Sequence, residues 1–454
     1  MGKLNNEKRE QYRNDLIGLL KDCKYAHFRR EFLQLHPIDQ AEFYGTLEES
    51  FRQKLYKAIH SNEMAAIFQA LDFEEQKHLA VIELDQQYAA NMLNHLYADD
   101  AADFLSQLEA HEAEAILRTM KAEEANHVID LMSYPPKTAG SIMTKEFVSI
   151  TSNQTVQQVI EQLRLEAPDA ETIYYLYVVN DVKQLVGVLS LRDLLTASPN
   201  EVIEHLMSSR VISIESTSDQ EEVAKLIKKY DLLAAPIISP NRTLLGIVTV
   251  DDVMDVIEDE TTEDLGEFSA SRGATDVNLS AFQAAKLRSP WIIMLMFFGL
   301  ITAGIIDQYE ETLEQIVLLA AFIPLLMDSA GNTGTQSLAV VVRGLALGTI
   351  EKKGLLRTLR REFSTGLMIG LLCALVLVLI IPLIYGNVIL AIIVGVSVFC
   401  SLSIATVIGA IVPLIINKLK LDPAIASGPF ITTINDILGL LIYFSIATSL
   451  LQYL

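Results

Sequence analysis

Cysteine, tryptophan and positive charge are all scarce in this sequence. Its 454 residues include three cysteines and one tryptophan, and 35 Lys and Arg stand against 57 Asp and Glu, for a formal net charge of −22. With only Cys23, Cys373 and Cys400, the last two inside apolar stretches, a disulfide framework and a thiolate metal site are both excluded. The shortage of basic residues excludes nucleic acid as a partner, because phosphate binding needs the opposite sign. The opening MGKLNNEKREQYRNDL has no apolar core of the kind a secretory signal needs, so the first part of the chain is expected in the cytosol.

The composition is divided along the chain. From Ser289 onward eight Lys and Arg meet nine Asp and Glu, so the first 288 residues hold −21 of the total charge. An acidic soluble half therefore precedes an apolar half, which accounts for 51% hydrophobic residues in so charged a protein. Acidity of this kind favours cations, and a solvated acidic surface is its simplest alternative meaning.

A helix needs roughly 20 apolar residues to cross a bilayer. Five stretches qualify: Pro290–Ile306, Ile316–Ile350 (long enough to be bent or broken), Phe363–Ile384, Val388–Ile416 and Gly428–Leu454. The basic residues of this half (Arg343, Lys352, Lys353, Arg357, Arg360, Arg361, Lys418 and Lys420) fall in the second and fourth connections, on the side of Lys286 and Arg288. The positive-inside rule then predicts a cytoplasmic soluble half and an external Leu454, in the cytoplasmic membrane.

Polar groups interrupt two of the spans. The second contains Asp328, Asn332, Thr335 and Gln336 on one helical stripe, and the fifth places Thr432, Asp436, Gly439 and Tyr443 along one face. A carboxylate at the bilayer centre costs about 2.5–3.5 kcal/mol on insertion scales. No intramembrane Lys or Arg is available to pair with Asp436, which points to a visiting cation. For Asn332, Thr335 and Gln336, bonding between helices is an equally good explanation.

In the soluble half, residues 1–132 read as short amphipathic helices stacked as a small solenoid. The apolar pairs Phe104/Leu105, Ile116/Leu117 and Val128/Ile129 recur about every 12 residues. No nucleophile–base constellation is present, so an enzyme is not expected, and His78, His95, His111 and His127 read as surface or packing residues. An internal duplication follows: Met143–Ile150 matches Met207–Ile214, and Gly187–Asp193 matches Gly246–Asp252. Alternating β-branched residues at Tyr174–Val179, Val186–Leu189, Ala235–Ile238 and Ile247–Val250 predict short strands, and hence two β/α modules. The second module runs into Asp251, Asp252, Asp255, Glu258, Asp259, Glu260, Glu263 and Asp264 with no basic residue between them. Such a run is a solvated face or a set of hard-oxygen ligands for Mg²⁺ or Ca²⁺.

The duplicated modules resemble a tandem pair of CBS domains. The resemblance implies a site for ATP or another adenine nucleotide, with Asp193 or Asp252 contacting a ribose, although either aspartate would serve equally as a helix N-cap. The whole order, with Pro324–Gln336 and Asp422–Asp436 as its most specific stretches, resembles the MgtE family of magnesium channels. That resemblance implies a homodimer in the lipid bilayer with one pore at the subunit interface. Asp436, the carbonyl near Thr432, and Asn332 would meet hydrated Mg²⁺ there. The Asp251–Asp264 run would form a plug helix whose cytosolic Mg²⁺ sites close the pore, with Asp99, Asp100 and Asp103 of the helical domain contributing. The expected order is a helical domain over 1–132, a CBS pair over 133–250 (about 139–200 and 203–255), an acidic connector over 251–288 and a five-helix pore over 289–454. A carrier coupled to Na⁺ or H⁺ and a nucleotide-sensing receptor without transport are the competing readings.

Overall fold

The computed structural model describes residues 6–168, 170–271, 273–274, 279–346, 349–350, 354–423 and 426–450. It forms two compact units, Met1–Ile257 and Glu258–Leu454.

The first unit begins with ten short α-helices between Asn6 and Met132, joined by tight turns. Extended residues with oxygen-bearing side chains start several of them: Asp72 accepts from the Glu75 N–H and Asp85 from the Tyr88 N–H, each at 2.9 Å. Phe104, Leu105, Ile116 and Val128 are buried as the repeat predicts, but Ile129 is 50% exposed. The three pairs lie on separate helices, Ala98–Gln107, Ala110–Thr119 and Ala122–Met132, so each helix sets its own buried face.

The modules that follow each carry a three-stranded sheet. β1 (Phe147–Thr151), β2 (Thr172–Val179) and β3 (Leu185–Ser190) lie in the order β1-β2-β3. β4 (Ile214–Glu215), β5 (Ala234–Ile238) and β6 (Leu244–Thr249) repeat that order. In each sheet the first pair is parallel and the second antiparallel. The hydrophobic core of the helical segment is continuous with that of the second module through Met143, Val223, Ala235, Val248 and Val253.

The aspartates at the ends of the two repeats are not N-caps. Ser190 holds that position, its Oγ accepting from the Asp193 N–H at 3.1 Å and donating to Asp193 Oδ2 at 2.6 Å. In the second copy Thr249 Oγ1 donates to Asp252 Oδ2 at 2.5 Å. In the first copy the hydroxyl three residues upstream takes the cap, and in both copies the aspartate accepts from that hydroxyl in the first turn. The helix that follows runs over Val250–Phe268.

Among the described residues of the second unit, five helices are long and apolar enough to cross a membrane: Ala281–Gln308, Val317–Ala346, Leu355–Tyr385, Val388–Lys418 and Gly428–Leu450. The first starts well before the expected Pro290, because Ser280 and Gln283 form a capping box. The second is broken as anticipated, with 3₁₀ turns over Val317–Phe322 leading into an α-helix over Ile323–Ala346. Gly386, at φ +70°, and Asn387, whose Oδ1 accepts from the Leu390 N–H at 3.0 Å, make the tight turn between the third and fourth spans.

Candidate functional site: an acidic trio, a cleft and a polar span contact

Three carboxylates converge in the first unit. Asp99 lies in the first turn of the helix Ala98–Gln107, where acidic side chains suit the helix dipole. Glu171 immediately precedes β2, its N–H bonded to the Glu146 carbonyl at 2.8 Å. Asp252 is in the first turn of the acidic helix, fixed by Thr249. Oxygens of the three lie within 4.8 Å of one another. Asp99 Oδ1 and Glu171 Oε2 are buried without a hydrogen-bond partner.

Burial raises the Asp99 carboxyl well above the usual carboxylate range, and Asp100, Asp252 and Glu171 push it further. Burial and then the Asp252 charge push Glu171 up to about 7, partly offset by Thr144 and Thr249. Asp252 is raised by burial and by Asp251 and Asp255. Asp100 rises to about 6 by burial, held back by the Gln69 amide. Apposed carboxylates resist ionising together unless a cation neutralises them. Hard oxygen donors with orphaned lone pairs fit Mg²⁺ or Ca²⁺. Across a Mg²⁺ ion, opposite ligands stand about 4.1 Å apart, so oxygens within 4.8 Å of one another are close enough to share one ion whose shell water completes.

The structure thus brings Asp99 and Asp252 together, with Asp100 alongside. Asp103 is exposed one turn further on. Asp251, Asp255, Glu258, Asp259 and Glu263 are exposed along the acidic helix, and Glu260 is half-buried. Glu171 had no signal in the sequence, since it stands alone before a strand. Within the second unit, Phe268 packs with Leu338, Ala426 and Ile431.

Asp193 and Asp252 part company in spite of the duplication. Asp193 lines a cleft of about 230 Å³ with Tyr175, Ser190, Arg210, Leu232 and Pro236 among its walls. Aromatic and apolar walls with one carboxylate and one guanidinium suit a planar base, a sugar hydroxyl and a phosphate. Asp252 is not part of that cleft.

In the second unit the polar stripe of the second span is exposed at Asp328, Asn332 and Gln336, and Asn332 Nδ2 donates to Asp328 Oδ1 at 3.0 Å. Thr335 Oγ1 lies 3.5 Å from Thr432 Oγ1 on the fifth span. Two glycines set this contact. A Cβ on Gly331 would stand 2.6 Å from Thr432 Cγ2, and one on Gly334 would collide with the Asn435 amide. Asp436 is half-buried and leaves Oδ1 without a hydrogen-bond partner.

The face of the fifth span that aligns Thr432, Asp436, Gly439 and Tyr443 stays open only in part. Gly439 and Tyr443 are buried, and Tyr443 Oη donates to the Leu319 carbonyl at 2.8 Å. The 3₁₀ segment meets Tyr443, whose hydroxyl satisfies one of its irregular backbone carbonyls in an apolar setting, while Ala330 and Ser401 stand against Gly439.

Comparison with known proteins matches these parts one by one. A family profile described as "Divalent cation transporter" (MgtE) matches residues 323–446, "MgtE intracellular N domain" matches 35–137, and the CBS domain matches 139–200 and 203–259. A magnesium transporter MgtE of Bacillus subtilis is 42% identical over 97% of both chains. Another, of Enterococcus faecalis, is 41% identical over 96% of this chain and 97% of its own. A crystal structure of the cytosolic domain of the Mg²⁺ channel MgtE in complex with ATP is 33% identical. It covers 54% of this chain and 99% of its own, with a TM-score of 0.51.

Proposed function

The chain belongs to the MgtE family of divalent cation transporters, and from that premise we propose a Mg²⁺-selective channel of the cytoplasmic membrane that admits Mg²⁺ down its electrochemical gradient and closes when cytosolic Mg²⁺ binds its acidic regulatory residues. The observation that carries the reading is the polar strip formed by Asp328, Asn332, Gln336, Thr432 and Asp436 on spans that are otherwise apolar.

Exposed carboxylate and amide groups at membrane depth need water or a second polar surface. A twofold homodimer in the bilayer supplies both, because an isologous interface sets each Asp436 toward its mate. Two facing carboxylates repel, and a doubly charged ion that keeps most of its water relieves the repulsion while binding weakly enough to leave. Asp436 attracts the ion, while Thr432 and Asn332 order its hydration water. The basic connections support a cytosolic soluble unit and an external C-terminus by the positive-inside rule.

Regulation rests on Asp99, Glu171 and Asp252, with Asp100 and Asp103 beside them. These side chains join the helical segment, the first module and the start of the acidic helix, so neutralising them favours one arrangement of that helix. Asp251, Asp255, Glu258, Asp259, Glu260 and Glu263 lower their mutual repulsion in the same way. Both effects bias a two-state element, which ligand control of a gate requires. The Asp193 cleft takes an adenine nucleotide, in keeping with the ATP complex of the related cytosolic domain.

Reconstituted full-length protein tests this directly. Mg²⁺ flux should follow membrane potential without a sodium or proton gradient, and should fall as Mg²⁺ rises on the side of the soluble unit. Flux that requires a counter-gradient would make the protein a coupled carrier.

A further inference from the structure

A second buried carboxylate in the membrane half has no part in the reading above. Glu362 lies near the start of the third span, 5% exposed. Ser337 of the second span, 3% exposed, donates its Oγ to Glu362 Oε2 at 2.5 Å. Arg361 Nη2 donates to the other oxygen at 2.7 Å. The carboxylate is satisfied on both sides and lacks the open coordination of an ion site.

Its surroundings are packed backbone to backbone. A Cβ on Gly409 of the fourth span would collide with the Gly334 carbonyl and stand 3.1 Å from Ser337 Cβ. One on Gly366, a single turn beyond Glu362, would collide with Thr406 Oγ1 and stand 3.1 Å from the Leu402 carbonyl. The second, third and fourth spans therefore cross where small residues let the backbones meet. Ser337 is one turn from Gly334, which abuts the Asn435 amide and Ile431 Cγ2 next to Asp436. Cores packed this tightly do not absorb small shifts, so a displacement at Ser337 is passed on to the contact beside Asp436.

Apolar residues of similar size commonly replace a buried ionic group without loss of stability. Stability alone therefore does not account for Glu362. We propose that Glu362 is a positioning residue for permeation: through Ser337 it holds the second span in the register that sets Gly331 and Gly334 against Thr432 and Asn435. The inference rests on the pore reading of Asp436 and adds to it the device that fixes the pore's wall.

The test is flux by the reconstituted full chain, read as Mg²⁺ transport and as the ratio of Mg²⁺ to Ca²⁺ transport. Glu362→Gln keeps an acceptor for Ser337 and should retain both within about twofold. Glu362→Ala and Ser337→Ala should each shift the ratio by about tenfold, the scale of one lost buried hydrogen bond. The double variant should be no worse than the poorer single, because both remove one bond. Should Glu362→Ala fail to assemble, Ser337→Ala, which deletes one oxygen, carries the test. A wild-type ratio in Ser337→Ala, or a loss in Glu362→Gln equal to that in Glu362→Ala, would overturn the proposal. Asp436→Ala, measured alongside, separates the two readings: conduction surviving that change removes the pore assignment, whatever Glu362 does.

Discussion

Replacing Glu171 by Gln tests the acidic trio through its own electrostatics. The folded protein holds this carboxyl at about 7, above the ordinary value of 4.5. A raised folded value means that the native state binds the proton more tightly. The cost of ionising Glu171 is therefore absent below about pH 4.5, grows through the interval between 4.5 and 7, and is fully present above it. The shift corresponds to roughly 3 kcal/mol at most, and solvent screening at this half-buried group reduces it to roughly 1–2 kcal/mol. For a unit of this size that is roughly 2–8 °C in Tm. Thermal unfolding of the full chain in detergent, at pH 5, pH 6 and pH 8, with and without Mg²⁺, reads the effect. Without Mg²⁺, Glu171→Gln should be more stable than the parent at pH 8 and nearly equal to it near pH 5. The parent should gain more from Mg²⁺ at pH 8 than at pH 6, and the variant should lose much of that gain. A variant that is less stable at pH 8 without Mg²⁺, or that keeps the full Mg²⁺ stabilisation, would refute the reasoning.

Other outcomes follow from the remaining sites. Asp436→Ala should abolish Mg²⁺ flux while leaving the Mg²⁺-dependent stabilisation of the soluble unit intact, as seen by thermal unfolding. Neutralising Asp251, Asp255, Glu258 and Asp259 together should weaken inhibition by internal Mg²⁺ in a flux assay, with conduction retained. Asp193→Ala should weaken ATP binding by roughly tenfold in calorimetry, the scale of one charge-assisted hydrogen bond, whereas Asp252→Ala should leave it nearly unchanged because Asp252 lies outside the cleft. Gly334→Ala should lower both stability and flux, because its methyl group would collide with the Asn435 amide.

The two repeats locate the line between local and tertiary information. Matching residues at Asp193 and Asp252 predict matching surroundings, and locally they have them: each answers a hydroxyl three residues upstream. Their wider environments differ because the helical segment shares its core with the second module, which brings Asp99 to Asp252 and leaves Asp193 to line a cleft. Glu171 and Glu362 were missed for a related reason. Each is a single acidic residue whose meaning lies in a partner distant in sequence, Asp252 for one and Ser337 for the other. The fifth span shows the same limit. Helical spacing aligns Thr432, Asp436, Gly439 and Tyr443, yet Gly439 faces Ala330 and Ser401 and Tyr443 bonds the Leu319 carbonyl, all on other elements.

From its residues alone this chain determines an acidic soluble half, a duplicated β/α module, an unbroken acidic run and five apolar spans with two polar stripes. Hydrophobic period, charge and caps act over a few residues, so they are written locally. Only the packed chain decided which carboxylates meet, which aspartate of a repeated pair faces a cleft, and which part of a polar stripe stays open. Those outcomes depend on close approach between distant segments, where the absence of one Cβ or the placement of one hydroxyl selects the contact.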